Sequence, residues 1–150
     1  MNRVILLIII TLTTFGCKET EEQLDVQNKV NAFITEMNPA LYQSMARMRE
    51  EITLAETKIK QLYELKGLFP NQREMIDKSL KQWHYLRKNL KFTLNNIYDK
   101  VESAYVAYKI DEIQGRKKFS LISQKLLKEA NTVLANAEVT KTTIERELYE

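Results

Sequence analysis

The stretch Ile76-Asp-Lys-Ser-Leu80-Lys-Gln-Trp83-His-Tyr-Leu86-Arg-Lys-Asn-Leu90-Lys-Phe-Thr-Leu94-Asn-Asn-Ile97-Tyr-Asp-Lys-Val101-Glu-Ser-Ala104-Tyr-Val-Ala-Tyr108 decides the fold. Ile76, Leu80, Trp83, Leu90, Leu94, Ile97, Val101, Ala104 and Tyr108 follow alternating steps of four and three, interrupted only at Arg87. An α-helix advances about 3.6 residues per turn, so this spacing lays the apolar side chains along one stripe. A repeat of about 3.5 sustained over this length is a coiled-coil seam. Leu86, Tyr98 and Tyr105 flank the stripe and widen it toward the face of a bundle helix.

The same step recurs upstream. Leu41, Met45, Met48, Ile52, Ala55, Ile59, Leu62 and Phe69 keep it, with Lys66 as the polar exception. Downstream, Phe119, Ile122, Leu126, Ala130, Val133, Leu134, Ala137, Ile144 and Leu148 recur at helical spacing, and the small residues among them allow close helix approach. Only 3 Gly and 2 Pro punctuate the 150 residues, which leaves little material for the turns of a β architecture.

The breakers set the expected boundaries. Thr20-Glu-Glu-Gln23 reads as a capping box opening the first helix. Asn38-Pro39 predicts either a fresh helix capped by Asn38 or a kink. Gly67, with Lys66 in the last turn, predicts a C-cap, and Leu68-Phe-Pro70 a connection. Asn71-Gln-Arg-Glu74 reads as a second capping box, and Gly115 is the one later breaker. Helices are therefore expected over about 21–66, 72–114 and 117–149, of roughly 69, 65 and 50 Å. Three such legs joined by short turns predict an all-α, antiparallel three-helix bundle with coiled-coil-like seams. The alternative is a long helical hairpin running through Gly115, whose exposed apolar overhang would make it a homodimer.

The N-terminus has a different composition. Met1-Asn-Arg3 is basic at its start, Val4 to Phe15 is an apolar run, and Gly16-Cys17 ends it. As a helix that run spans about 18 Å, too short for a hydrocarbon core of about 30 Å, so it suits an export signal better than an anchor. With Cys17 directly after the small residue, the segment resembles the lipobox of bacterial lipoproteins. Gly16 and Cys17 conform; Thr14 and Phe15 stand where that family usually has Leu and a small residue, a departure found in lipoproteins of spirochaetes and Bacteroidetes. The resemblance implies that residues 1–16 are removed and that Cys17 receives a diacylglycerol and an N-acyl chain. Residues 17–20 then form a short tether and 21–150 the helical domain. Lys18 is not the aspartate of inner-membrane retention, and Lys18-Glu19 resembles a surface-export tag, so outer-membrane placement is expected, with the periplasmic or surface face left open.

Little in the rest of the chain suggests chemistry. Cys17 is the single cysteine, so no intramolecular disulfide or thiolate metal cluster can form. His84, the lone histidine, has Leu80, Lys81, Arg87 and Lys88 one turn away, which is no metal-ligand set. No glycine-rich phosphate loop or nucleophile elbow is present. The expectation is a non-enzyme with no cofactor beyond lipid at Cys17. The formal net charge of +3 implies no general affinity for nucleic acid or anionic membrane.

Two features single out a candidate interface. Arg73 to Lys91 is the most basic stretch, and Trp83, His84, Tyr85, Arg87, Lys88 and Lys91 combine charge with aromatic area. Tyr98, Tyr105 and Tyr108 gather on one helix, and amphipathic rings are favoured at interfaces. The competing readings are a basic face neutralised by Glu50, Glu51 or Glu56 on the neighbouring helix, and tyrosines that fill a bundle seam. The expected function is binding or scaffolding beside an envelope protein partner through helix–helix contacts. Alternatives are a surface lipoprotein binding a host or environmental ligand, a secreted helical protein, or a small-ligand carrier.

Overall fold

The computed structural model describes residues 24–149. The expected signal over 1–16, Cys17, the expected tether and the expected capping box from Thr20 to Gln23 lie outside the described residues, as does the side chain of Leu148. Four helices follow one another: α1 over 24–37, α2 Pro39–Leu68, α3 Arg73–Ile110 and α4 Glu112–Tyr149. A 3₁₀ turn, Pro70–Gln72, joins α2 to α3.

The four-three stripes are the core. Leu41, Met45, Met48, Ile52, Ala55, Ile59 and Leu62 are buried on α2, and every stripe residue of α3 from Ile76 to Ala104 is buried with Leu86. On α4, Phe119, Leu126, Ala130, Leu134, Ala137 and Ile144 face them, with Ile122 and Val133 half-buried. Phe69 is 47% exposed, because α2 has ended before it. Pairing fixes the directions. Lys91 to Glu56 and Lys66 to Asp77 set α2 antiparallel to α3. Lys118 to Ser103 and Asn96 to Glu129 set α3 antiparallel to α4. The chain is an all-α bundle whose three long helices pack antiparallel along these seams.

Of the two expectations at Asn38-Pro39, the first leg takes the fresh helix capped by Asn38, and that helix turns back on the one before it. Asn38 leaves helical geometry at φ −154°, ψ 82°, and its side chain caps α2 by accepting the Leu41 N–H at 3.0 Å. Asn31 Oδ1 lies 3.4 Å from Arg49 Nη2 across 18 residues. Along a straight helix those residues would be about 27 Å apart. The chain therefore reverses at Asn38. As α1 proceeds, Asn31 meets Tyr98 and then Phe33 meets Tyr105 and Tyr108, so α1 runs parallel to α3. Pro39 makes the new start easy, since the first helical turn needs no N–H there.

The later boundaries move. Gly67 is helical with no positive φ, and α2 runs on to Leu68. Pro70 ends it instead, by excluding helical geometry at Phe69, which sits at φ −124°, ψ 74°. The Asn71 to Glu74 box does not form: Gln72 precedes α3 without a side-chain cap. α3 and α4 meet at Asp111, not Gly115, with Asp111 extended at φ −144°, ψ 110° and its carboxylate accepting the Gln114 N–H at 3.1 Å. Asp111 is itself the N-cap of α4, and an Asp at this position is the signal that marks the start. The hairpin running through Gly115 is thereby excluded. Gly115 is buried within α4, where a Cβ would overlap the backbone of Tyr108. Its role is close helix approach.

All buried core side chains among the described residues lie between Val30 and Ile144, so the chain from Lys18 onward carries this whole core. Gly115→Ala should lose about 2 kcal/mol or more, because backbone must move to admit the methyl. Gly67→Ala, which meets open space, should gain about 0.5 kcal/mol through helix propensity. Urea unfolding of both variants checks this, and equal effects would contradict the close approach.

Candidate functional site

The tyrosines face inward. Phe33 of α1 packs on Tyr105, Tyr108 and Phe119 with ring centroids 5.6, 5.0 and 5.0 Å away. Tyr105 and Tyr108 stack at 6.3 Å, and Arg116 lies 5.5 Å over the Tyr108 ring while pairing with Glu36 and Glu112 at 2.9 Å. The two carboxylates raise the Arg116 pKa further. Tyr98 donates its hydroxyl to Asn31 at 2.8 Å and receives a hydrogen bond from Arg49. Tyr98, Tyr105 and Tyr108 thus hold α1 in the groove between α2 and α3. They are half-buried and occupied by this chain's own residues.

The basic stretch is dispersed around α3. Trp83 is 2% exposed and belongs to the core, which removes it from any surface. His84 lies at the α2 rim, 3.4 Å from the Tyr63 hydroxyl, with the rings edge-on at 6.2 Å. Arg87 is half-buried beside it, and Lys91 reaches Glu56 at 2.6 Å. That hydrogen bond, with smaller help from the Arg87 charge, holds the Glu56 carboxyl below its ordinary pKa. Tyr85 and Lys88 point to the other flank and are exposed. His84, Arg87 and Lys91 therefore stay together along the part of the α2/α3 groove that α1 does not cover.

Polar side chains fix how α4 sits on its neighbours. Ser44 donates to Asn131 at 2.8 Å, and Lys141 bridges Glu51 and Glu138 at 2.8 Å. Burial works against the Lys141 charge, but both hydrogen bonds outweigh it and its pKa is raised. Lys78 and Gln82 meet Glu147 at 3.1 and 3.2 Å and depress its pKa. These pairs specify register more than they stabilise, since partly exposed ion pairs contribute about 0–1 kcal/mol each.

The surface that sequence spacing does not single out lies between α3 and α4. A shallow groove of about 420 Å³ is lined by Tyr85, Asn89, Phe92, Val133, Asn136 and Val139 among others. Phe92 is 72% and Val139 67% exposed. Neither belongs to a four-three core stripe, and the signal that finds them is an apolar residue on the helix face opposite that stripe. Among the described residues no His, Cys, Asp and Glu gather as a metal site, and no helix is long and apolar enough to cross a membrane. Compared with known proteins, the chain matches no family model, no curated protein and no solved structure.

Two substitutions separate core from rim. Trp83→Ala should cost about 3–5 kcal/mol, while His84→Ala should stay within about 0.5 kcal/mol. The Glu56 pKa is depressed on folding, so its contribution is present above the unfolded carboxylate pKa and is lost as pH falls through the folded one. Any stability difference between wild type and Lys91→Ala at neutral pH should therefore shrink in acid. Denaturation midpoints across pH measure it, and a gap that widens in acid would contradict the pairing.

Proposed function

We propose that the chain is a lipid-anchored lipoprotein of the bacterial envelope that acts as a non-catalytic binding or scaffolding module. The observation that carries this reading is Gly16-Cys17 closing the apolar run Val4 to Phe15. Lipid at Cys17 would hold the domain at a membrane, with the outer membrane the favoured placement. The domain beyond the cysteine supports a binding role: its helices reach 38 residues, about 57 Å, and pack through narrow seams of Leu, Ile and Ala. Such a body presents rigid helix flanks, and its grooves are shallow.

The favoured contact for a protein partner is the open half of the α2/α3 groove. Tyr63 and His84 form its rim, with Arg87 and Lys91 beside them. α1 fills the other half of the same groove through Phe33 and Tyr98, so a partner helix seated below it would extend the packing this chain already makes with itself. Contacts of this kind need neither cofactor nor reactive side chain.

Intact mass and membrane partitioning of the native protein, beside Cys17→Ser, test the anchor. The expected result is loss of residues 1–16 with added acyl mass on the wild type, and release or incomplete processing of the variant. A soluble, unacylated wild type would sink the lipoprotein reading and leave a secreted helical bundle.

A further inference from the structure

The near-neutral net charge conceals a lopsided distribution. From Lys117 to Ala137, α4 carries Lys117, Lys118, Lys125 and Lys128 against Glu129 alone, while Arg116 just before them is paired with Glu36 and Glu112. Its outward stripe is Leu121, Lys125, Lys128, Thr132, Ala135 and Val139, again at four-three spacing and all exposed. The matching stripe of α3 is Lys81, Tyr85, Lys88 and Phe92, also exposed. Between them, the groove at Phe92 and the one at Lys100, Lys125 and Lys128 are lined by α3 and α4 only. Large apolar side chains therefore alternate with lysines over one flank: Leu121 is 76% exposed, Phe92 72%, Val139 67% and Tyr85 64%.

The reversal at Asn38 bears on what meets this flank. Because α1 runs back along α3, Val26 and Gln27 lie beside Asn95 and Asp99, near the middle of α3 and not at an end of the bundle. Cys17 precedes Leu24 by seven residues, a reach of at most about 25 Å. A lipid at Cys17 would hold the side of α3 to the bilayer, where an end-on bundle would need its tether to leave from a tip. We propose that the outer α3/α4 face docks on an anionic bilayer surface, with the bundle axis lying along it. The contribution of the tether rests on the lipoprotein reading; the face itself does not. Lysines there extend their stems over apolar surface and place their ammonium groups at lipid phosphates, while Phe92, Leu121 and Val139 enter the interfacial layer. The α3 stripe continues through Asn95 to Asp99 and Glu102, which lie beside α1 and are acidic exceptions on the face, and Glu129 is drawn to Lys100 at 3.7 Å and to Asn96. The α2/α3 rim with Tyr63 and His84 stays free for a protein partner.

The test uses the chain from Lys18 to Glu150, which lacks Cys17 and so reports docking without acylation. It is mixed with phosphatidylcholine vesicles with and without phosphatidylglycerol, and sedimentation is measured over a range of salt. Binding is expected only with phosphatidylglycerol and should weaken as salt rises. Lys125→Gln/Lys128→Gln should weaken it about tenfold or more. Phe92→Ser should also weaken it, and Lys58→Gln/Lys60→Gln on α2 should leave it unchanged, with helical circular dichroism confirming that each variant is folded. Equal binding to neutral vesicles, no binding to either, or the same loss from the α2 variant would overturn the proposal. So would a dimer that forms through Phe92 in place of vesicle binding, which would assign the face to a second copy. Failure of acylation appears separately, in the mass of the native protein.

Discussion

The architecture depends on two reversals made by one residue each. Asn38 and Asp111 both complete the outgoing helix by donating their N–H, to Ile34 at 2.7 Å and to Ala107 at 2.9 Å. Both then accept from the residue four further on, Tyr42 at 3.2 Å and Gly115 at 2.9 Å, and both cap the new helix with their side chain. Helix termini leave backbone groups without partners, so a corner this tight persists only where one residue serves both helices. Asn and Asp suit it because their short side chains reach the free N–H groups of the next turn. At Asp111 the helices come so near that Gly115 packs on the Tyr108 backbone. At Asn38 the same economy sends α1 back along α3 and encloses the ring cluster around Phe33.

The seams are legible in the sequence because the information is local. A four-three repeat is written in the order of the residues, and the buried residues of α2 and α3 follow it closely, with Ser44, Ser79 and Thr93 added at its margins. Asn38 is recognisable as a cap, but its consequence is not, because a helix end says little about the direction in which the chain departs. Gly115 misleads for a related reason: glycine marks both helix ends and close approach, and only tertiary packing separates the two. Asp111 holds the missing information in the form of a cap.

The candidate interface divides along the same line. Helical spacing brings Tyr98, Tyr105 and Tyr108 to one face, and the structure keeps them together, but the partner on that face is α1 of the same chain. Trp83 follows the core stripe and is buried with it. The rest of the basic stretch spreads around the circumference of α3, so His84 and Lys91 meet α2 while Tyr85 and Lys88 face away. Sequence proximity within about one helical turn does not make a common surface. Phe92, Leu121 and Val139 do not stand out in the sequence because a single apolar residue on an outer face is ordinary, and only the packing of α3 on α4 makes them neighbours of one flank.

The path of α1 back along α3 places its first residues, Val26 and Gln27, beside the middle of the bundle. Spin labels at Gln27→Cys and Asn95→Cys, in a Cys17→Ser background, measure it directly by pulsed electron–electron resonance. The two positions line one groove, so a distance of about 20 Å or less is expected, label arms included. A first helix continuing straight through Asn38 would separate them by about 38 Å, and that distance would contradict the account.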